Sequence, residues 1–70
     1  MKIFLSFHAK KRMIERRIRL ENIHETIALP DYVISKDNKK EAFKKIENKT
    51  LKVIYLEEDK YIKVVTLMWK

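Results

Sequence analysis

Four polar side chains near the start of the chain have the types and spacing of an acid–base and anion-binding site. His8, Arg12, Glu15 and Arg16 stand at i, i+4, i+7 and i+8. On a helix these intervals place them in one polar strip about 100° wide. Histidine exchanges protons near neutral pH, and arginine forks match phosphate oxygens. The strip therefore predicts acid–base chemistry on a phosphate, although a solvated helix face with one internal ion pair would carry the same charges.

Other catalytic chemistries find less support in the residues. The chain has no cysteine and no aspartate cluster, so neither a thiolate site nor an oxygen-ligated cation site is predicted. We expect no metal and no cofactor. Ser6 and Ser35 have no convincing His/Asp partner for nucleophilic catalysis, and His24 is expected to be a surface histidine.

The charge balance favours a polyanionic partner. Seventeen Lys and Arg residues stand against ten Asp and Glu residues, for a formal net charge of +7. So dense a positive field on a small surface attracts nucleic acid. The alternative is a solubilising Lys/Glu-rich surface of the kind seen in heat-adapted proteins, which explains the number of charges but not their imbalance.

Length and hydropathy bound the class of protein. Seventy residues predict a single domain over 1–70. No apolar run reaches the roughly 18 residues that span a bilayer. The apolar stretch at the start is too short for a signal peptide. We therefore expect a cytoplasmic protein that does not bind membranes.

Two helices are expected to carry the strip and support it. Ser6 is predicted to cap a helix over 7–17, and a second helix over 20–29 is ended by Pro30. The first helix has two apolar strips, one with Phe7, Ile14 and Ile18 and the other with Ala9 and Met13.

Strand patterns follow Pro30. Segment 39–48 is ambiguous, because its apolar spacing fits a helix while its place between strands favours a strand, and a strand is the prediction adopted. Residues 3–5 are either a short strand or an extended lead-in. Since the chain has no glycine, Asn38, Asn48 and Asp59 are the candidates for positive φ at turns. The remaining strands are predicted at 32–36, 50–56 and 61–69.

The chain resembles the family named domain of unknown function 4258, in its run HAKKRMIERRI, its second helix ending near Pro30 and its closing VVTLMWK. Thr66 stands at the family's recurrent threonine in the last strand, and Arg17 replaces the usual glycine. The signature of that family maps to His8, Ala9, Arg12, Met13, Glu15, Arg16 and Ile18.

That family is similar in predicted architecture to small RelE-like and barnase-like ribonuclease toxins. The resemblance implies an α+β fold with two N-terminal helices packed on a four-stranded antiparallel sheet. It also implies RNA as substrate and an acidic antitoxin protein as partner.

The leading hypothesis is a toxin-type, metal-independent endoribonuclease of a toxin–antitoxin system, in which a ribose 2′-hydroxyl attacks the neighbouring phosphate. His8 would act as general acid or base, and Glu15 would orient it or act as the base. Arg12 and Arg16 would hold the phosphate. Thr66 would add a hydrogen bond if the last strand faces the strip. Lys11, Lys52 and Lys63 would contact the RNA, although Lys52 and Lys63 equally fit strand-edge or outward-facing positions that only solubilise the protein.

Two other functions fit the same residues. One is a nucleic-acid-binding module that does not cut its ligand. The other is an interaction protein whose basic face pairs with an acidic partner. A homodimer is a further hypothesis, because the edge strands of so small a sheet need cover.

Overall fold

The structure is a computed structural model that describes residues 2–70. Two helices interrupt the strands early in the chain, and a run of four strands completes it. The elements are β1 Lys2–Leu5, α1 Phe7–Glu15, α2 Leu20–Ala28, β2 Tyr32–Lys36, β3 Lys39–Ile46, β4 Lys49–Glu57 and β5 Tyr61–Trp69.

The sheet has the strand order β1-β5-β4-β3-β2. Strands β2 to β5 form an antiparallel meander, and β1 adds to β5 in parallel, with Ile3 opposite Ile62. The predicted α+β class is confirmed, but the prediction of a four-stranded antiparallel sheet is wrong, since the described chain forms a five-stranded mixed sheet. β1 has only four residues, so its alternation could not be told from an extended lead-in, and its partner lies almost sixty residues away.

The ambiguous segment after the first hairpin loop is a strand, as predicted, and forms β3. β3 pairs with β2 on one side and with β4 on the other. Its Ala42 lies in the core and its Phe43 is buried on the opposite face, which is the alternation of a strand rather than of a helix. The apolar spacing of this segment did not show strand alternation, because β3 has a buried residue on each of its two faces.

Helix α1 begins at its predicted cap and ends earlier than predicted. The Ser6 side chain accepts a hydrogen bond from the Ala9 N–H at 3.0 Å. The helix stops at Glu15 because Arg17 takes a left-handed conformation with φ 53. The Ile18 N–H then bonds the Met13 carbonyl at 2.9 Å, which closes the last turn.

Both helices pack on one face of the sheet. On α1 only the strip of Ala9 and Met13 faces the sheet, while Phe7 is 85% exposed and Ile14 is 74% exposed. Each helix has nine residues, and within residues 2–70 no helix is long and apolar enough to cross a membrane. The buried core consists of Ala9, Ile18, Ile23, Ala42, Leu51, Val53, Tyr55, Ile62, Val64 and Leu67.

Positive φ occurs at turn positions that the residue types did not indicate. Besides Arg17, the described residues with positive φ are Asp37 and Glu47. The prediction of Asn38, Asn48 and Asp59 is therefore wrong. The two-residue hairpin loops are 37–38 and 47–48. In each loop the first residue has positive φ and the second is the asparagine.

Candidate nucleic-acid interface

Three of the four predicted strip residues remain on a solvent-facing side of α1. His8 is exposed, and the Arg12 guanidinium donates to a Glu15 carboxylate oxygen at 2.7 Å. Arg16 points elsewhere, because its Nη1 donates to the Leu67 carbonyl at 2.7 Å. Arg12 is therefore the arginine of this strip that stays on the solvent side.

The position of Arg16 follows from the short length of β1. That strand ends opposite Val64, so it does not reach the later residues of β5. Side chains complete this edge: the Ser6 hydroxyl donates to the Val65 carbonyl at 3.0 Å, and Arg16 donates to that of Leu67. Both carbonyls thereby gain the hydrogen bonds that a longer β1 would have supplied.

Glu15 is held in its ionised form. The hydrogen bond from Arg12 lowers the pKa of Glu15 below its ordinary value of 4.5, against a smaller opposing effect of lost solvation. The positive charges of Arg12, Lys11 and Arg16 act in the same direction as the hydrogen bond. A carboxylate with a lowered pKa is a weaker base, so its contact with Arg12 suits it better to positioning than to proton transfer.

The remaining predicted residues lie on two surfaces. Lys11 is exposed on α1. Thr66 pairs with Ile54 while its neighbour Leu67 is buried in the core, so Thr66 faces away from the helices. Lys52 lies two residues before Ile54, and Lys63 pairs with Leu56 beyond a bulge at Val65, so both lysines share the face of Thr66.

The side of the sheet that carries no helix is named the open face. It combines apolar side chains with a dense set of lysines. Its apolar members are Phe4, Tyr32, Ile34, Phe43, Ile54, Leu56, Tyr61 and Met68, and its charged members are Lys2, Lys36, Lys39, Lys45, Lys52, Lys63, Lys70 and Glu41.

Aromatic rings lie towards both ends of the open face. The Tyr32 ring stacks on Phe43 with centroids 4.5 Å apart and planes 10° apart. Across the sheet, Phe4 meets Tyr61 edge to face at 5.3 Å. Phe4 and Tyr32 are half exposed, at 52% and 51%. Flat apolar surfaces on which unpaired bases could stack are thus present on both outer strands of the sheet.

The positive charge of the open face is largely uncompensated. Its glutamate, Glu41, pairs with Lys52 at 3.6 Å. Lys52 and Lys70 also place their ammonium groups over the Phe43 ring, at 5.7 Å and 5.2 Å from its centroid. Within residues 2–70, the other lysines of this face form no ion pair. Such a surface can bind phosphates through its lysines and bases through its rings.

Sequence reasoning found two of these lysines and none of the aromatic residues. Lys52 and Lys63 stand alone among apolar strand residues, which was the usable signal. The rest of the face could not be assembled, because it draws on all five strands and depends on the pairing of β1 with β5.

The comparison with protein families gives one finding. Residues 5–69 match the family model described as a domain of unknown function, DUF4258. No curated protein and no solved structure matches the chain.

Proposed function

The chain belongs to the DUF4258 family, whose description assigns no activity, and we propose that this member binds single-stranded RNA across its open face. The observation that carries the proposal is a helix-free sheet surface with seven lysines, one glutamate and half-exposed aromatic rings. The alternative of a non-catalytic binding module thereby gains more support than it had from the residues alone.

Unpaired RNA suits this surface better than a duplex does. A duplex hides the faces of its bases, so Phe4 and Tyr32 would have nothing to stack on. Stacking on an aromatic side chain contributes about 1–3 kcal/mol per base. Five strands at a spacing of about 4.8 Å span roughly 19 Å, which matches five or six stacked nucleotides at about 3.4 Å each.

The test compares two double variants with the same change of charge. Lys39→Glu with Lys63→Glu reverses two exposed lysines of the open face, and Lys10→Glu with Lys11→Glu reverses two exposed lysines of α1. Affinity for a labelled RNA of about twelve nucleotides is measured by fluorescence anisotropy at several salt concentrations.

The open-face variant is expected to lose about tenfold or more in affinity, with a salt slope shallower by about 0.7 for each lost phosphate contact. The α1 variant is expected to lose about threefold or less, through the long-range field alone. The opposite order would show that RNA runs along α1, and the proposal would be wrong.

Toxin-type endoribonuclease activity is the second candidate, favoured by the exposed His8 one helical turn before Arg12, which pairs with Glu15. His8 would exchange protons with the ribose hydroxyl or the leaving oxygen, and Arg12 would stabilise the phosphate charge. The similarity in predicted architecture between the family and RelE-like toxins supports this activity. Its further predicted residues do not join the pair, because Arg16 donates to the Leu67 carbonyl and Thr66 faces away from the helices.

Cleavage is tested by incubating total RNA with the protein in EDTA. The candidate predicts products that end in a cyclic phosphate, absent with His8→Ala, while His8→Ala binds RNA as the wild type does. Intact RNA after incubation with the wild-type protein would reject the candidate and leave the binding function standing.

The outer side of α1 is the surface on which an acidic antitoxin protein would bind. Phe7 and Ile14 are large exposed apolar side chains on α1, and Lys10 and Lys11 lie on the same helix. Charge complementarity favours an acidic amphipathic segment at this position. Phe7→Asp would then abolish complex formation with such a segment while leaving RNA affinity unchanged.

A further inference from the structure

A groove of about 540 Å³ lies at the end of the molecule where α1 connects to α2 and β3 turns into β4. It belongs neither to the open face nor to the α1 strip, and it is named the Trp69 groove. Its lining combines cationic, amide and aromatic groups. The lining residues are Arg17, Arg19, Asn22, Ile46, Glu47, Asn48, Lys49 and Trp69.

Three cations surround this groove against one carboxylate. Arg17 and Lys49 form no ion pair within residues 2–70. Arg19 contacts Glu21 at 3.1 Å, but both side chains are highly exposed, so the pair is weak and readily exchanged for an anion. Glu47 is the acidic residue of the lining. The groove is therefore set up for an anion.

The apolar part of the groove is an immobilised aromatic ring. The Trp69 indole N–H donates to the Arg16 carbonyl at 3.0 Å, and the ring packs against the core beside Ile46. The Lys49 ammonium lies 5.4 Å from the centroid of the ring. This ammonium lies over the face of the ring, so a base that packs on Trp69 would take its place and leave the ammonium next to the phosphate of the same ligand.

Two residues at the groove have a backbone conformation that is unfavourable for any residue with a side chain. Arg17 and Glu47 both have positive φ, at 53° and 59°, a conformation that glycine adopts most readily. Keeping arginine at the first of these positions retains a guanidinium at the groove.

We infer that the Trp69 groove binds a nucleoside phosphate, either as a free nucleotide or as the phosphorylated end of an RNA strand. Arg17 and Lys49 contact the phosphate, and the base packs against Trp69. The amides of Asn22 and Asn48 offer donors and acceptors to the base edge. This goes beyond the proposed function, because a free nucleotide does not require the open face.

The test uses the intrinsic fluorescence of Trp69, the one tryptophan of the chain. The protein is titrated with AMP, GMP, adenosine and inorganic phosphate. AMP and GMP are expected to change the emission in a saturable way. Adenosine and phosphate are expected to bind at least about tenfold more weakly than AMP. Equal binding of adenosine and AMP, or no saturable change with any nucleotide up to about 10 mM, would overturn the inference.

Arg17→Gly is the decisive variant. It removes the guanidinium and relieves the left-handed backbone, so a loss of binding cannot be assigned to unfolding. We expect AMP affinity to fall about tenfold, with no fall in the thermal midpoint. The matched control is Lys60→Ala, which removes one charge at the opposite end of β4 and β5 and should bind AMP as the wild type does. Unchanged AMP affinity in Arg17→Gly would contradict the inference.

Two further experiments distinguish the source of the ligand and show whether the Trp69 groove and the open face are independent binding sites. The first compares RNA with a 5′-phosphate and RNA with a 5′-hydroxyl. Stronger quenching of Trp69 by the 5′-phosphate would identify the end of an RNA strand as the ligand, and equal quenching would identify the free nucleotide. The Lys39→Glu, Lys63→Glu variant should lose RNA affinity but keep AMP affinity. AMP binding that vanished in that variant would place the nucleotide on the open face and overturn the inference.

Discussion

Trp69 donates its indole N–H to the Arg16 carbonyl at 3.0 Å, while the Arg16 guanidinium donates to the carbonyl of Leu67, two residues before Trp69. These two bonds join the end of α1 to the edge of β5 beyond the reach of β1. Arg16 therefore supports the fold at a position where the helical spacing alone indicated a phosphate ligand.

Arg16→Met is expected to lower the free energy of unfolding by about 1–2 kcal/mol, because it removes a charged donor from a partly buried carbonyl. The matched variant Arg12→Met should lower it much less, since its ion pair with Glu15 is more exposed. Urea unfolding measures both. Equal stability of the two variants, with loss of RNA cleavage in Arg16→Met, would instead make Arg16 a residue of the cleavage site.

Glu15→Gln tests the ion pair through pH. The pKa of Glu15 is lowered in the folded protein by the hydrogen bond from Arg12, so the stabilisation is present above the ordinary value of 4.5. It is lost as pH falls through the lowered pKa. Wild type and Glu15→Gln should differ in unfolding free energy near neutral pH and converge as the pH falls below the lowered pKa of Glu15. A difference that stays constant over this range would show that the ion pair contributes nothing to stability.

Glu47→Gly is expected to stabilise the protein by about 1 kcal/mol, because glycine adopts the left-handed conformation at less cost. Glu47→Ala, which lacks the side chain but keeps the Cβ, should give no such gain. Asn48→Gly is the positional control, since positive φ falls on Glu47 and not on its neighbour. Thermal and chemical unfolding measure all three, and a gain from Asn48→Gly alone would move the strained position to the second residue of the loop.

Two exposed phenylalanines on different surfaces allow a matched test of stacking. Phe4 lies on the open face and Phe7 on the outer side of α1. Phe4→Ala should weaken RNA binding by about 1 kcal/mol or more, through the loss of a stacked base. Phe7→Ala should leave the affinity unchanged. Anisotropy titrations compare the two, and a larger effect at Phe7 would place the RNA on α1.

Elements with local signals could be predicted from the sequence, and those defined by long-range pairing could not. The Ser6 cap, the stop at Pro30 and the strand β5 depend on neighbouring residues, and each was found. β1 was ambiguous because four residues show too little alternation, and its parallel pairing is visible only in three dimensions.

The candidate site divides in the same way. The spacing of His8, Arg12 and Glu15 on one helix is a local property, and the structure shows them on the solvent side of α1. Arg16 donates to Leu67, which lies fifty-one residues later in the chain, and this contact depends on where β1 ends. The open face needs the registers of all five strands, so its residues could not be grouped beforehand.

Side-chain NMR during a titration with single-stranded RNA tests the location of binding most directly. Methyl groups report on each surface separately: Ile34, Ile54 and Met68 on the open face, and Ile14 on the outer side of α1. If RNA binds across the open face, the three open-face methyl signals shift with RNA while that of Ile14 stays in place. Shifts confined to Ile14, with the open-face methyl signals unchanged, would contradict binding there.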